Sequence, residues 1–152
     1  MLHAGLDEGG EEELVRPFSL ILRDPTHVVR RDDVVSFVGA DTSGSFGILA
    51  GHERFLTSLR LGLARFRTTD DDAVTYLALA SGLLAFEDNT ATICSQHFFL
   101  DRDRDRIAQA LEGEIKREEA DLREMHTLAR NLEREMLRRL WELGRTGPRQ
   151  GL

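Results

Sequence analysis

The hydrophobic period of the chain changes once, at about residue 100, and that change limits the fold more than any other feature. Between Asp101 and Leu143 there is no proline and a single glycine, Gly113. Ala108, Ile115, Leu122, Ala129, Met136 and Leu143 recur every seven residues, and Leu111, Met125 and Leu132 fill the second seam position, which Glu118 and Arg139 break. Sevenfold recurrence with two seam positions describes an apolar stripe along a helix. Glu112–Lys116, Glu119–Arg123 and Glu135–Arg139 place an acid four residues before a base, the favourable order on a helix surface. Asp101 or Asp103 can cap the start, and Gly144 followed by Gly147-Pro148 stops it. Such a helix cannot leave its stripe in water. The stripe must bury against itself, against the rest of the chain or against a partner.

From Leu14 to about Phe99 the period is two. Phe18 to Leu22 alternates and stops at Asp24-Pro25, Val28-Val29 precedes a charged break at residues 30–33, and Val34 to Val38 is β-branched and apolar. Strands are expected at Phe55 to Leu59, Leu61 to Arg67, Val74 to Ala80, Leu83 to Phe86 and Thr90 to Ser95, with turns at Thr69 to Asp72, Ser81-Gly82 and Asp88-Asn89. Short strands at this spacing predict an antiparallel sandwich or barrel. The expected class is therefore α+β: an acidic, disordered tail over 1–14, a β-sandwich over 15–99, a helical domain over 100–144 and a flexible tail over 145–152. The unbroken register favours one long helix, and an antiparallel pair turning between Arg117 and Asp121 satisfies the same pattern.

Composition excludes several functions. A net charge of −7 argues against bulk nucleic-acid binding, which calls for a basic surface. No apolar run approaches the roughly 20 residues a bilayer-spanning helix needs. Residues Met1 to Glu13 are acidic and glycine-bearing, the opposite of a targeting signal. One cysteine, Cys94, cannot form an internal disulfide, and its apolar, strand-like surroundings predict a buried structural thiol. The histidines His3, His27, His52, His97 and His126 form no metal-ligand spacing, so no metal site is expected. Ser81-Gly82 is not set in a nucleophile elbow. No catalytic constellation exists, and an enzyme is the weakest reading.

One stretch stands out from its surroundings. Residues 44–56 read GSFGILAGHERFL, a segment with Gly44, Gly47 and Gly51 that also carries Phe46, Ile48, Leu49, Phe55 and Leu56. Glycines at this density describe a chain that turns tightly. Apolar side chains at this density must be tucked into the domain or presented to something else. No lysine follows, so a phosphate loop is excluded.

Gly44-Ser45-Phe46-Gly47-Ile48-Leu49, followed by Gly51-His52 and an apolar strand, resembles the epsilon subunit of F-type rotary ATP synthases, closest to the alternate sodium- or proton-coupled branch. The resemblance runs from about Phe18 to Leu143, and Ala50 departs from it where proline is common. It implies a flattened β-sandwich and then helices, in a non-catalytic rotor subunit of the central stalk. The implied partners are the gamma subunit, the ring of c subunits and the alpha/beta catalytic hexamer, in a complex peripheral to the membrane at the cytoplasmic face of the bacterial inner membrane. By the same resemblance Ser45 and Phe46 touch the c-ring, His52 touches gamma, and a helical segment carrying Arg130, Arg134, Arg138 and Arg139 extends to inhibit ATP hydrolysis. Leu100-Asp101-Arg102-Asp103-Arg104 resembles the family's ATP-binding signature at Asp101 and Arg104, with Asp105 where alanine belongs. No cofactor is expected beyond a regulatory, unhydrolysed ATP. A second reading is a ligand-sensing or scaffold β domain that dimerises through a coiled coil.

Overall fold

The computed structural model describes residues 16–146, apart from the side chains of residues 71, 72 and 146. The acidic tail expected over 1–14 and the end of the flexible tail, 147–152, lie outside the described residues. Among the described residues nine strands are followed by one helix: β1 (Phe18–Arg23), β2 (Val28–Asp41), β3 (Gly44–Ile48), β4 (Phe55–Leu59), β5 (Gly62–Thr68), β6 (Asp71–Leu79), β7 (Gly82–Glu87), β8 (Thr90–Ser95), β9 (Phe98–Asp101) and α1 (Arg104–Thr146). The chain divides into two compact units, residues 1–114 and 115–152, with the division inside the helix.

The strands hydrogen-bond in the order β4-β7-β8-β1-β2-β5-β6-β9, and β3 pairs the far end of β2. β2 makes the sandwich possible. Its first half pairs β1 from Val28 to Val34, and its second half pairs β5 from Val34 to Val38 and β3 from Phe37 to Asp41. Both ladders slip near Val34, where β1 and β5 each meet an irregularity. An extra residue in a ladder bends the strand and raises its twist. One 14-residue strand therefore serves both layers. The charged break expected at residues 30–33 is absent for this reason: Arg30 and Arg31 stay extended because Ile21 and Leu20 of β1 satisfy their backbone, while their side chains face water. All pairings are antiparallel except β1 with β8, which run parallel.

Alternation decides the core. β1 buries Phe18, Leu20 and Leu22, β5 buries Ala64 and Phe66, β7 buries Leu84 and Phe86, and β8 buries Ala91 and Ile93. These join Val34, Phe37, Ile48, Leu77 and Phe98 in one cluster, with Phe18 and Phe86 edge to face at 5.8 Å. The same alternation overturns the expectation for Cys94. It follows buried Ile93, so its thiol points outward, paired across the ladder with exposed Leu83. An apolar neighbourhood in sequence is not a buried one in a strand of period two.

Two-residue turns hold the hairpins. Asp88 and Asn89 have φ of 50° and 55°, both left-handed, and connect Glu87 to Thr90. Two left-handed residues in a two-residue loop form the turn whose twist matches the flanking strands. At Gly82 the reason for glycine is space: an added Cβ would meet the Cys94 carbonyl oxygen at 2.5 Å.

β9 is an addition that the sequence reading missed. Phe98 to Asp101 pairs with Tyr76 to Leu79, so the sandwich runs two residues beyond Phe99. The helix then starts at once. Asp103 caps it, accepting at Oδ1 from Asp105 N at 2.9 Å, and Asp101 accepts from Asp103 N at 2.8 Å. Ile107 is 1% exposed, so the first turns belong to the sandwich unit. The helix is continuous for 43 residues, about 64 Å at 1.5 Å per residue, with no turn between Arg117 and Asp121.

Candidate partner-binding surfaces

The glycine-rich stretch is half strand, half loop. Gly44 to Ile48 forms β3, which pairs with Asp41 back to Phe37, so the hairpin tip is Thr42-Ser43 and not Ser45-Phe46. Asp41 fixes the tip. Its Oδ1 accepts from Ser43 N at 2.8 Å and from the Ser43 hydroxyl, and its Oδ2 accepts from the Thr57 hydroxyl of β4 at 2.7 Å. The hydrogen bonds from Ser43, and after them that from Thr57, hold the Asp41 carboxyl below the usual carboxylate range. Ser45 is exposed. Phe46 is half-buried and turns toward the core, with its ring 5.3 Å from that of Phe55 and 6.5 Å from that of Phe37.

His52 sits on a separate turn. Its N–H donates to Leu49 O at 3.2 Å, and Gly51 has φ of 76°. Its Nδ1 donates to the Glu53 carbonyl at 2.8 Å, and its ring meets Phe55 and Phe86 edge-on at 5.6 and 5.7 Å. Asn89, on the turn that follows β7, the strand paired with β4, holds this turn. Its side-chain oxygen accepts from Gly51 N at 2.8 Å, its amide donates to Pro17 O at 3.1 Å, and its carbonyl accepts from Ser19 N at 3.1 Å. Arg54 and Glu87 form an ion pair beside it. Exposed Leu49 and Leu56 are the apolar side chains this region presents to water. Sequence reasoning missed Asn89 and Asp41, whose signal was the short polar side chain at each turn.

Asp101 and Arg104 are not brought together into one site. Asp101 lines a polar depression of about 470 Å³ with Arg31, Asp33 and Arg102, and its Oδ2 lies 3.8 Å from Arg106. Arg104 lines a different groove with Arg65 and Tyr76. Among the described residues no group of three potential metal ligands converges.

In the second unit the large apolar residues from Leu122 to Leu143 are 52–67% exposed, because a single helix cannot cover its own side chains. Arg138 and Arg139 both donate to Glu135, at 2.8 and 3.1 Å, and these bonds hold the Glu135 carboxyl below its usual value. The expected Glu135–Arg139 pair is thus present. Arg130 and Arg134 are exposed. No helix among the described residues is long and apolar enough to cross a membrane.

Comparison with known proteins agrees with this architecture. Residues 17–100, more than half of the chain, match the family described as "ATP synthase, Delta/Epsilon chain, beta-sandwich domain". The ATP synthase epsilon chain of Geotalea daltonii is 33% identical over 81 residues, 53% of this chain and 51% of that protein. That of Citrifermentans bemidjiense is 35% identical over the same extent. The chain thus spans about half the length of the relatives it matches. A chain of the Euglena gracilis mitochondrial ATP synthase shares the fold, with a TM-score of 0.52 at 20% identity over 64% of this chain and 62% of that one. Because the match falls on the β-sandwich and covers more than half of the chain, the chain belongs to the ATP synthase delta/epsilon family.

Proposed function

We propose that the chain is a non-catalytic central-stalk subunit of an F-type ATP synthase, coupling the gamma shaft to the c-ring. The match of residues 17–100 to the delta/epsilon β-sandwich carries this reading. The sandwich docks on gamma through the turn at His52, where exposed Leu49 and Leu56 supply apolar area beside the Arg54–Glu87 pair. The hairpin with Ser45 faces the c-ring. Phe46 serves that contact from behind, by bracing the hairpin on Phe37 and Phe55. The subunit is peripheral to the membrane, at the cytoplasmic face of a bacterial inner membrane.

The helical unit regulates. Its uncovered stripe from Leu122 to Leu143 needs a partner surface, and Arg130, Arg134, Arg138 and Arg139 suit the acidic surfaces of the alpha/beta hexamer. Seated there, the helix inhibits ATP hydrolysis. An ATP bridging Asp101 and Arg104 is disfavoured, because the two line different depressions and Asp101 already holds Asp103 N.

Affinity purification of the intact chain from its native membranes is the test. Recovery of gamma, alpha, beta and c subunits is the expected result, and their absence overturns the proposal.

A further inference from the structure

We infer that the outer face of β2, β5 and β6 is a docking groove for the acidic segment at the chain's own N-terminus, residues 7–13. Two depressions there, of about 400 and about 260 Å³, share Val38 and Arg65 and form a continuous trough. Arg65 and Arg67 project from β5 into it, and Arg104 closes one end. None of the described residues lining either depression is an acid. All three arginines are exposed, and none forms an ion pair with another described residue. In a chain of net charge −7, a trough to which the described residues contribute three guanidinium groups and no carboxylate is the wrong sign for its surroundings. It fits an anionic occupant, and guanidinium groups pair carboxylates with two parallel bonds.

The occupant with the matching chemistry and the shortest tether belongs to this chain. Asp7, Glu8, Glu11, Glu12 and Glu13 precede the sandwich with no lysine or arginine among them. β1 begins at Phe18, paired with Val34 of β2, and on the other side of β2 Ser36 pairs with Arg67. Arg67 is therefore two strands from the start of β1, about 10 Å at the usual strand spacing. Glu11 to Glu13 lie five to seven residues before Phe18, a reach of about 17 to 25 Å when extended. The tether thus spans the distance without strain and places a high local concentration of carboxylate at the trough. Docked, the segment covers Arg65, Arg67 and Arg104 and excludes other anions from them.

The experiment uses the isolated full-length chain, so it stands or falls independently of the stalk reading. A spin label is attached at Ala4→Cys in a Cys94→Ser background, and amide signal intensities are followed by NMR. At about 10 mM salt, where charges act over about 30 Å, the signals of Val38, Arg65 and Arg67 are expected to drop at least about threefold. The loss is expected to reverse at about 1 M salt, where the range falls to about 3 Å. It is also expected to vanish in Glu11→Gln/Glu12→Gln/Glu13→Gln and in Arg65→Gln/Arg67→Gln. Undiminished signals at low salt overturn the proposal, as does broadening that survives either set of substitutions. Inorganic phosphate shifting these amides while the label leaves them unbroadened assigns the trough to a free anion and also overturns it.

Discussion

At the scale of single residues, three positions show where local chemistry is committed. Asp24 accepts three hydrogen bonds at one carboxylate oxygen. Burial alone raises its pKa, but Thr26 N, the Thr26 hydroxyl and His27 N each donate to Oδ1 at 2.8 Å, and the His27 ring adds its charge. Together these hold the carboxyl at about 2, below its ordinary 3.8. A carboxyl depressed in the folded state stabilises fully above its unfolded value and loses that contribution as pH falls through the folded one. The chain is therefore expected to lose urea resistance between 3.8 and about 2, and Asp24→Asn to flatten the profile in that window. Urea midpoints across the window check this. Gly82→Ala forces a methyl to 2.5 Å from the Cys94 carbonyl, a backbone atom that cannot move without disturbing the β7–β8 ladder. A loss of about 1–3 kcal/mol by denaturant titration is expected, as for other overpacked sites. Asn89→Gly keeps the left-handed backbone yet removes the bonds to Gly51 and Pro17. It is expected to cost about 1–3 kcal/mol and to speed amide exchange at His52, whose turn it no longer ties.

At the scale of elements, the helix is two things in sequence order. Its first turns are part of the sandwich unit, where Ile107 and Glu114 are 1% and 8% exposed. The remainder carries the uncovered stripe. Truncation after Phe99 cuts through β9 and strips its pairing from Leu77 and Tyr76, so it is expected to yield an unstable or aggregating sandwich. Truncation after Glu114 is expected to leave a cooperative unfolding transition for the sandwich within about 1 kcal/mol of the intact chain, because the removed residues form a separate unit. Thermal unfolding of both fragments distinguishes them. β2 makes a related point. Its charged middle reads as a loop, yet a strand that crosses between layers needs solvated side chains where it leaves the core, and residues 30–33 supply them.

At the scale of the whole molecule, the sandwich is complete and the helix is not. The core cluster draws on nine strands, whereas Leu122, Leu132 and Met136 are 52%, 65% and 63% exposed. If the stripe regulates by seating on a partner, truncation after Glu114 in an assembled ATP synthase is expected to raise ATP hydrolysis without lowering the yield of complex. Leu132→Ser/Met136→Ser is expected to do the same in smaller measure, as two buried side chains are each worth roughly 2–4 kcal/mol. Steady-state hydrolysis assays on purified complex measure both, and unchanged rates remove the inhibitory role while leaving the stalk role.

The amino-acid pattern alone determined the order of the architecture, strands and then helix, because hydrophobic period is a local property read residue by residue. It also determined the turn at Asp88-Asn89, where few side chains tolerate the left-handed backbone, whereas the turn expected at Ser81-Gly82 falls one residue earlier, at Ala80-Ser81, and Gly82 opens β7. Tertiary structure decided what depends on partners distant in the chain. The parallel pairing of β1 with β8 joins segments about 70 residues apart. The outward thiol of Cys94 depends on strand phase, and the inward ring of Phe46 depends on Phe37 and Phe55 being there to receive it. The trough of Arg65, Arg67 and Arg104 exists only because a strand and a helix start meet on one face, a neighbourhood no linear pattern contains.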